Sequence, residues 1–163
     1  MQNWTPLIFV LLAIALAVGP IMMMQPTKTQ QRLAKLRDDA RKMGLMVTMC
    51  VWPSKFKVKV NSYMRYQQPW HTQHPPKCTF FLFKQGYEHD LHLAKTWEKV
   101  EAINLPEEKL TALLLNNEIL ENIASIGCTT QGVFVDWNEN NSTKLEVVRE
   151  FLEQLREVLI SVK

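Results

Sequence analysis

Eighteen consecutive uncharged and almost wholly apolar residues, Leu7 to Met24 (LIFVLLAIALAVGPIMMM), constrain this chain more than any other feature. So apolar a run has to be covered by something other than water. As a helix rising ~1.5 Å per residue, roughly 20 such residues cross ~30 Å of hydrocarbon. Trp4 to Met24 meets that length, with an amphipathic ring at one end and Gln25, Pro26 and Lys28 closing the other. Pro6 falls in the first turn, where a missing N–H is harmless, and Pro20 predicts a kink in the last turn. A cleaved signal peptide is the alternative, because Ala15 and Ala17 make a small-x-small pattern. Against it, residues 1 to 3 carry no Lys or Arg, and the apolar run continues through Ile21, Met22, Met23 and Met24. The expectation is a transmembrane anchor over residues 1–25, with Trp4, Leu7, Phe9, Leu12, Leu16 and Met24 as its membrane contacts.

Charge then suggests an orientation. Lys28, Arg32, Lys35, Arg37, Arg41 and Lys42 follow the run, opposed only by Asp38 and Asp39. Positive flanks stay on the inner side of a membrane. The expected topology is therefore a single-pass inner-membrane protein with its N-terminus outside and the remainder cytoplasmic. Three cysteines, Cys50, Cys78 and Cys128, fit a reducing compartment, since an odd, unclustered set is no disulfide framework. The charge is also uneven along the chain. Up to Tyr66 there are ten Lys or Arg against two Asp, and beyond it nine against fourteen Asp or Glu. The six basic residues from Lys28 to Lys42 are accordingly expected to contact anionic lipid, each gaining about 1 kcal/mol near a charged surface. Nucleic acid is the rival partner for residues 28–65. Phe56, Tyr63, Tyr66 and Trp70 interleave with Lys55, Lys57, Lys59 and Arg65, but no nucleic-acid-binding motif accompanies them.

Periodicity organises the rest. Leu33, Leu36, Ala40 and Met43 recur at helical spacing and Gly44 stops them, so residues 26–44 read as a basic amphipathic helix. Residues 45–163 read as one α+β domain, with a mainly antiparallel sheet of about four strands packed by two or three helices. Leu45 to Val51 and Phe56 to Val60 alternate and suggest a hairpin; Gln67 to Lys77, with three prolines, reads as a loop; Cys78 to Lys84 reads as a buried strand. Residues 87–100 fit a strand or a helix equally. Pro106 with Glu107 and Glu108 opens a helix whose apolar face runs from Leu110 to Ile123 before Gly127 stops it, with a division possible at Asn116-Asn117. Gly132 to Trp137 is a further strand. Leu145, Val148, Phe151 (or Leu152), Leu155, Val158 and Leu159 make a strong terminal helix, capped by Asn141 or Ser142.

Chemistry is sparse. His71, His74 and Cys78 stand three and four residues apart in the Pro-rich loop, and imidazole and thiolate are zinc ligands, but the spacing matches no standard zinc module. His89 and His92 would share a face only on a helix, with Asp90 between them. No nucleophile elbow or protease cysteine motif is present, and five glycines leave no phosphate loop. No catalytic residue and no cofactor is expected. Trp52, Trp70, Trp97 and Trp137 read as core or rim aromatics.

Two stretches carry a resemblance. The anchor running into MQPTKTQQRLAKLRDDARKMGL, together with the distal segment from Leu113 through Gly132-Val133-Phe134-Val135-Asp136-Trp137-Asn138-Glu139, is similar to a group of uncharacterised bacterial inner-membrane proteins. Their topology is like that of YajC, the small accessory subunit of the Sec translocon, to which the similarity covers only the anchor and first helix. The resemblance implies a single-pass inner-membrane protein without known enzymatic activity and transfers no functional residue. The expected function is that of an interaction or accessory protein holding an α+β domain beside a protein partner. The alternatives are a zinc sensor or enzyme using His71, His74 and Cys78, and anionic-lipid or nucleic-acid binding by residues 28–65.

Overall fold

A computed structural model describes residues 4–23, 25–50, 63–70, 76, 78–139 and 143–160. Two compact units, Met1–Lys35 and Leu36–Lys163, are treated separately. In the first, α1 (Thr5–Met23) takes up the apolar run. The chain re-enters a helix at a reciprocal cap: the Thr27 N–H donates to Gln30 Oε1 (2.9 Å) and the Gln30 N–H to Thr27 Oγ1 (3.3 Å), so two N–H groups at the helix entry are satisfied. From there α2 runs over Lys28–Lys42.

The membrane anchor is corrected. Among the described residues, no helix is long and apolar enough to cross a membrane. The transmembrane, single-pass and inner-membrane assignments rested on that span and fall with it, as does the outside-to-cytoplasm orientation read from the charges.

In the second unit, α2 ends where Gly44, at φ +83°, takes the left-handed conformation that closes a helix. Gly44 donates to the Arg41 carbonyl and Leu45 to that of Ala40, both at 3.0 Å, the paired bonds of a Schellman stop. Six strands follow: β1 (Met46–Met49), β2 (Met64–Pro69), β3 (Thr79–Lys84), β4 (Trp97–Ile103), β5 (Ile123–Thr129) and β6 (Gly132–Trp137). They form one antiparallel sheet in the order β1-β2-β6-β5-β3-β4. Helices α3 (Glu107–Leu115) and α4 (Leu145–Ile160) complete the unit. The α+β class is what the structure shows, with six strands instead of four.

The sheet alternates between two faces, because side chains two apart share one. Tyr66, Phe80, Leu82, Ile126, Val133, Val135 and Trp137 join Val148, Phe151, Leu152, Leu155 and Leu159 of α4 in the main core. Ala40 of α2 and Leu110 and Leu114 of α3 enter the same core. On the other face lies a smaller cluster of Cys50, Phe83 and Ala124, with Tyr63, Phe81 and Val100 partly buried against it.

The differences from the sequence reading are local. β1 pairs with β2, and the Phe56 to Val60 run lies outside the described residues. β2 begins before and runs into the expected loop at Gln67. β5 occupies Ile123 to Gly127, where the helical pattern was expected to continue; α3 stops at Leu115 and a 3₁₀ turn at Glu118–Asn122 leads into the strand. Within residues 87–100 the ambiguity resolves as a turn followed by the start of β4.

Two strands approach closely at Gly132. A Cβ built there would stand 2.1 Å from the Gln68 carbonyl oxygen, with backbone as every near neighbour. Gly132→Ala should therefore lower stability by roughly 1–3 kcal/mol, an overpacking cost, whereas Gly86→Ala, which meets open space, should stay within about 0.5 kcal/mol. Equal urea midpoints for the two variants would contradict this packing.

Candidate functional site

The charged residues that converge in the folded unit do so at one end of β2 and β6. Neighbouring residues on β2 face opposite ways, so Arg65 and Tyr66 serve different sides of the sheet. Arg65 lies opposite Asp136 in the β2–β6 register. Its Nε donates to Asp136 Oδ1 (2.7 Å) and its Nη2 to Oδ2 (2.8 Å), a bidentate fork. On the other flank Ser125, paired with Asp136 across β5 and β6, donates its hydroxyl to Oδ2. Asp136 has no exposed surface. The guanidinium that neutralises it lies 3.9 Å from the Phe134 ring centroid, cation over π-face. Burial opposes the Arg65 charge, but the hydrogen bond and charge of Asp136 outweigh it and hold the Arg65 pKa above its ordinary value. Cys50 also faces Asp136: burial, then the carboxylate's charge, pushes its thiol well above the ordinary range.

On the helix-covered side, Glu139 plays the matching part. It is 5% exposed and sits at φ +54°, a conformation that costs a residue with a Cβ about 1–2 kcal/mol. Three donors hold its side chain: Arg37 Nε to Oε1 (2.7 Å), Arg37 Nη2 to Oε2 (2.6 Å) and Tyr66 Oη to Oε1 (2.9 Å). Burial, then the nearby Glu139 charge, raises the Tyr66 phenol, and the hydrogen bond to Glu139 raises Arg37. Tyr66 stacks edge-on against Trp137 at 5.2 Å.

Asp136 thus ties β6 to β2 and β5, and Glu139 ties α2 to the sheet. Each carboxylate is held by a bidentate arginine. The thiol beside Asp136 is protonated at neutral pH, which makes it a poor nucleophile.

The residues singled out from the sequence fall elsewhere. His71 and His74 lie outside the described residues, and Cys78 is buried. No group of three His, Cys, Asp or Glu able to hold a metal occurs among the described residues. His89 and His92 do meet, at 5.2 Å between ring centroids, because a turn closed by the His92 N–H to the His89 carbonyl (3.0 Å) folds them together without a helix. The six basic residues of α2 do not form one surface. At about 100° per residue, Lys28, Arg32, Lys35 and Lys42 share a stripe, while Arg37 and Arg41 lie on the far flank, Arg37 turned into Glu139. Lys42 is itself paired with Asp38 (2.7 Å) and Asp39 (3.5 Å). Trp4, Leu7, Phe9, Leu12 and Leu16 are exposed, and Met24 lies outside the described residues. Asp136 and Glu139 went unnoticed in the sequence as charges. A lone Asp inside an apolar strand, Val-Phe-Val-Asp-Trp, was the available signal.

No protein-family model, curated protein or solved structure matches the chain. No residue role therefore comes to it from a relative.

Arg65→Met should cost about 3–5 kcal/mol in urea unfolding, since it strands a fully buried carboxylate, and Asp136→Asn added to it should recover part of that loss. A loss under 1 kcal/mol would mean that Asp136 does not depend on Arg65. Alkaline pH supplies a second check. Cys50 and Tyr66 ionise at higher pH folded than unfolded. The stability they lend is whole below the unfolded values, roughly pH 8.5 for a thiol and 10 for a phenol, and declines above them. Urea midpoints should fall above roughly pH 8.5, and Cys50→Ser should shallow the first part of that decline; a midpoint that rises between pH 8 and 10 would contradict the assigned directions.

Proposed function

We propose that this chain is an interaction or accessory protein without catalytic activity of its own, and that it engages a protein partner through α1. The surface of α1 supports the reading. Its described large apolar side chains, from Leu7 to Val18, are between 44% and 69% exposed. Leu7, Ile8, Phe9, Val10, Leu11 and Leu12 are consecutive and, at 3.6 residues per turn, cover every side of the helix. An apolar surface of that kind left in water is unfavourable on all faces, and helices of that composition are ordinarily enclosed. The second unit supplies a separately packed body, in which Asp136 ties β6 to β2 and β5 and Glu139 ties α2 to the sheet.

A photoactivated crosslinking residue at Phe9 in the full chain, expressed in its native host, tests this. The expected outcome is one discrete protein adduct of fixed stoichiometry, absent when the same group is placed at Glu146 of α4 and lost when Leu12→Asp is added to the Phe9 probe. Crosslinks to lipid alone, or to no macromolecule, would overturn the proposal.

A further inference from the structure

The sequence offers Cys78 as a metal ligand beside His71 and His74; the fold gives it a different neighbour. Phe80 of β3 pairs with Cys128 of β5, and Cys78 lies two residues before Phe80, so both cysteines enter the main core on the same face of adjacent strands. The Cys128 thiol donates a hydrogen bond to the Cys78 carbonyl oxygen at 3.1 Å. These are diagonal cross-strand neighbours separated by 50 positions in the chain. Cys50, the third free thiol, sits in the smaller cluster on the opposite face of the sheet.

We propose that Cys78 and Cys128 form a two-cysteine redox site, in which Cys78 reacts first with a hydroperoxide and Cys128 resolves it to a disulfide. The two thiols differ in the way such a sequence requires. Cys78 stands one residue before β3 and keeps 7% of its surface exposed, whereas Cys128 has none. An oxidant arriving from solvent therefore meets Cys78. The neighbouring Cys128 thiol pulls the Cys78 thiol below its ordinary value against the opposing effect of burial. Cys78, with burial, pushes Cys128 well above its own. A thiolate is the reactive form, so the more accessible sulfur is also the more nucleophilic one.

The chemistry balances in two steps. The Cys78 thiolate attacks one oxygen of hydrogen peroxide; the S–O bond forms as the O–O bond breaks, and the departing hydroxide takes a proton to leave as water. Cys78 is then a sulfenic acid, oxidised by two electrons. Cys128 next attacks the Cys78 sulfur: the S–S bond forms, the S–O bond breaks, and the hydroxyl leaves as a second water with the proton of Cys128. The bond would join the entry of β3 to the end of β5, two strands already paired.

Hydrogen peroxide on the full chain, followed by unfolding and alkylation, reads the outcome. Reactive thiols should fall from three to one, a non-reducing peptide map should join the segments holding Cys78 and Cys128, and dithiothreitol should restore all three. Cys50→Ser should lose the same two thiols. Cys128→Ser should leave a Cys78 sulfenic acid that dimedone captures. Three thiols surviving a hundredfold excess of peroxide, consumption of Cys50 in place of the pair, or oxygen addition at Cys78 with Cys128 still free would each overturn the proposal. The peptide map of the unsubstituted chain decides the matter even if Cys128→Ser fails to fold.

Discussion

A carboxylate with no surface in contact with water must be neutralised where it stands, and Asp136 stands in β6, with β2 on one side and β5 on the other. An isolated ion there would be prohibitively costly. The strand order answers that requirement on both edges of β6: Arg65 arrives from β2 in register, and Ser125 arrives from β5 in register. A slip of one residue in either pairing would turn every side chain of that strand to the other face and leave the charge alone. Three strands are thus fixed against one another by a single carboxylate, with apolar burial setting their distance and the ion pair setting their register.

Glu139 extends the same logic off the end of β6. The chain leaves the strand in a left-handed conformation that few residues with a Cβ adopt, and Arg37 and Tyr66 hold it there. Arg37 belongs to α2 and Tyr66 to β2, so the second carboxylate joins a helix to the sheet as the first joins strand to strand. Both pairs lie within a few residues of Trp137, which is fully buried. What resembles an active site in composition, two acids, two arginines, a tyrosine and a cysteine, is a structural fastening. The distinction rests on saturation: every carboxylate oxygen already has a donor at hydrogen-bonding distance.

That fastening leaves the sulfur chemistry to another part of the sheet. Cys50 is held in a protonated state beside Asp136, while Cys78 and Cys128 share a hydrogen bond among apolar neighbours at the far end of β5. The odd count of cysteines therefore separates into one spectator and one pair. Sequence spacing alone conceals this, because the partners are joined by the β3–β5 pairing and not by proximity along the chain.

The sequence by itself determined the elements whose pattern is local. The stripe from Leu145 to Leu159 became α4, Gly132 to Trp137 became β6 with the same ends, the Cys78 to Lys84 run became β3, and the basic helix closed at Gly44. In each, periodicity or a stop residue acts within a few positions. The tertiary structure decided β2 and β5. Gln67 and Gln68 look like loop residues until neighbouring strands bury them, and Ile123 to Gly127 continue a helical pattern until β3 and β6 claim them as strand. It also decided the pairing of Asp136, Glu139 and the two core cysteines. Charges and thiols acquire their roles from what is brought opposite them, and strand order, which no local pattern encodes, determines that.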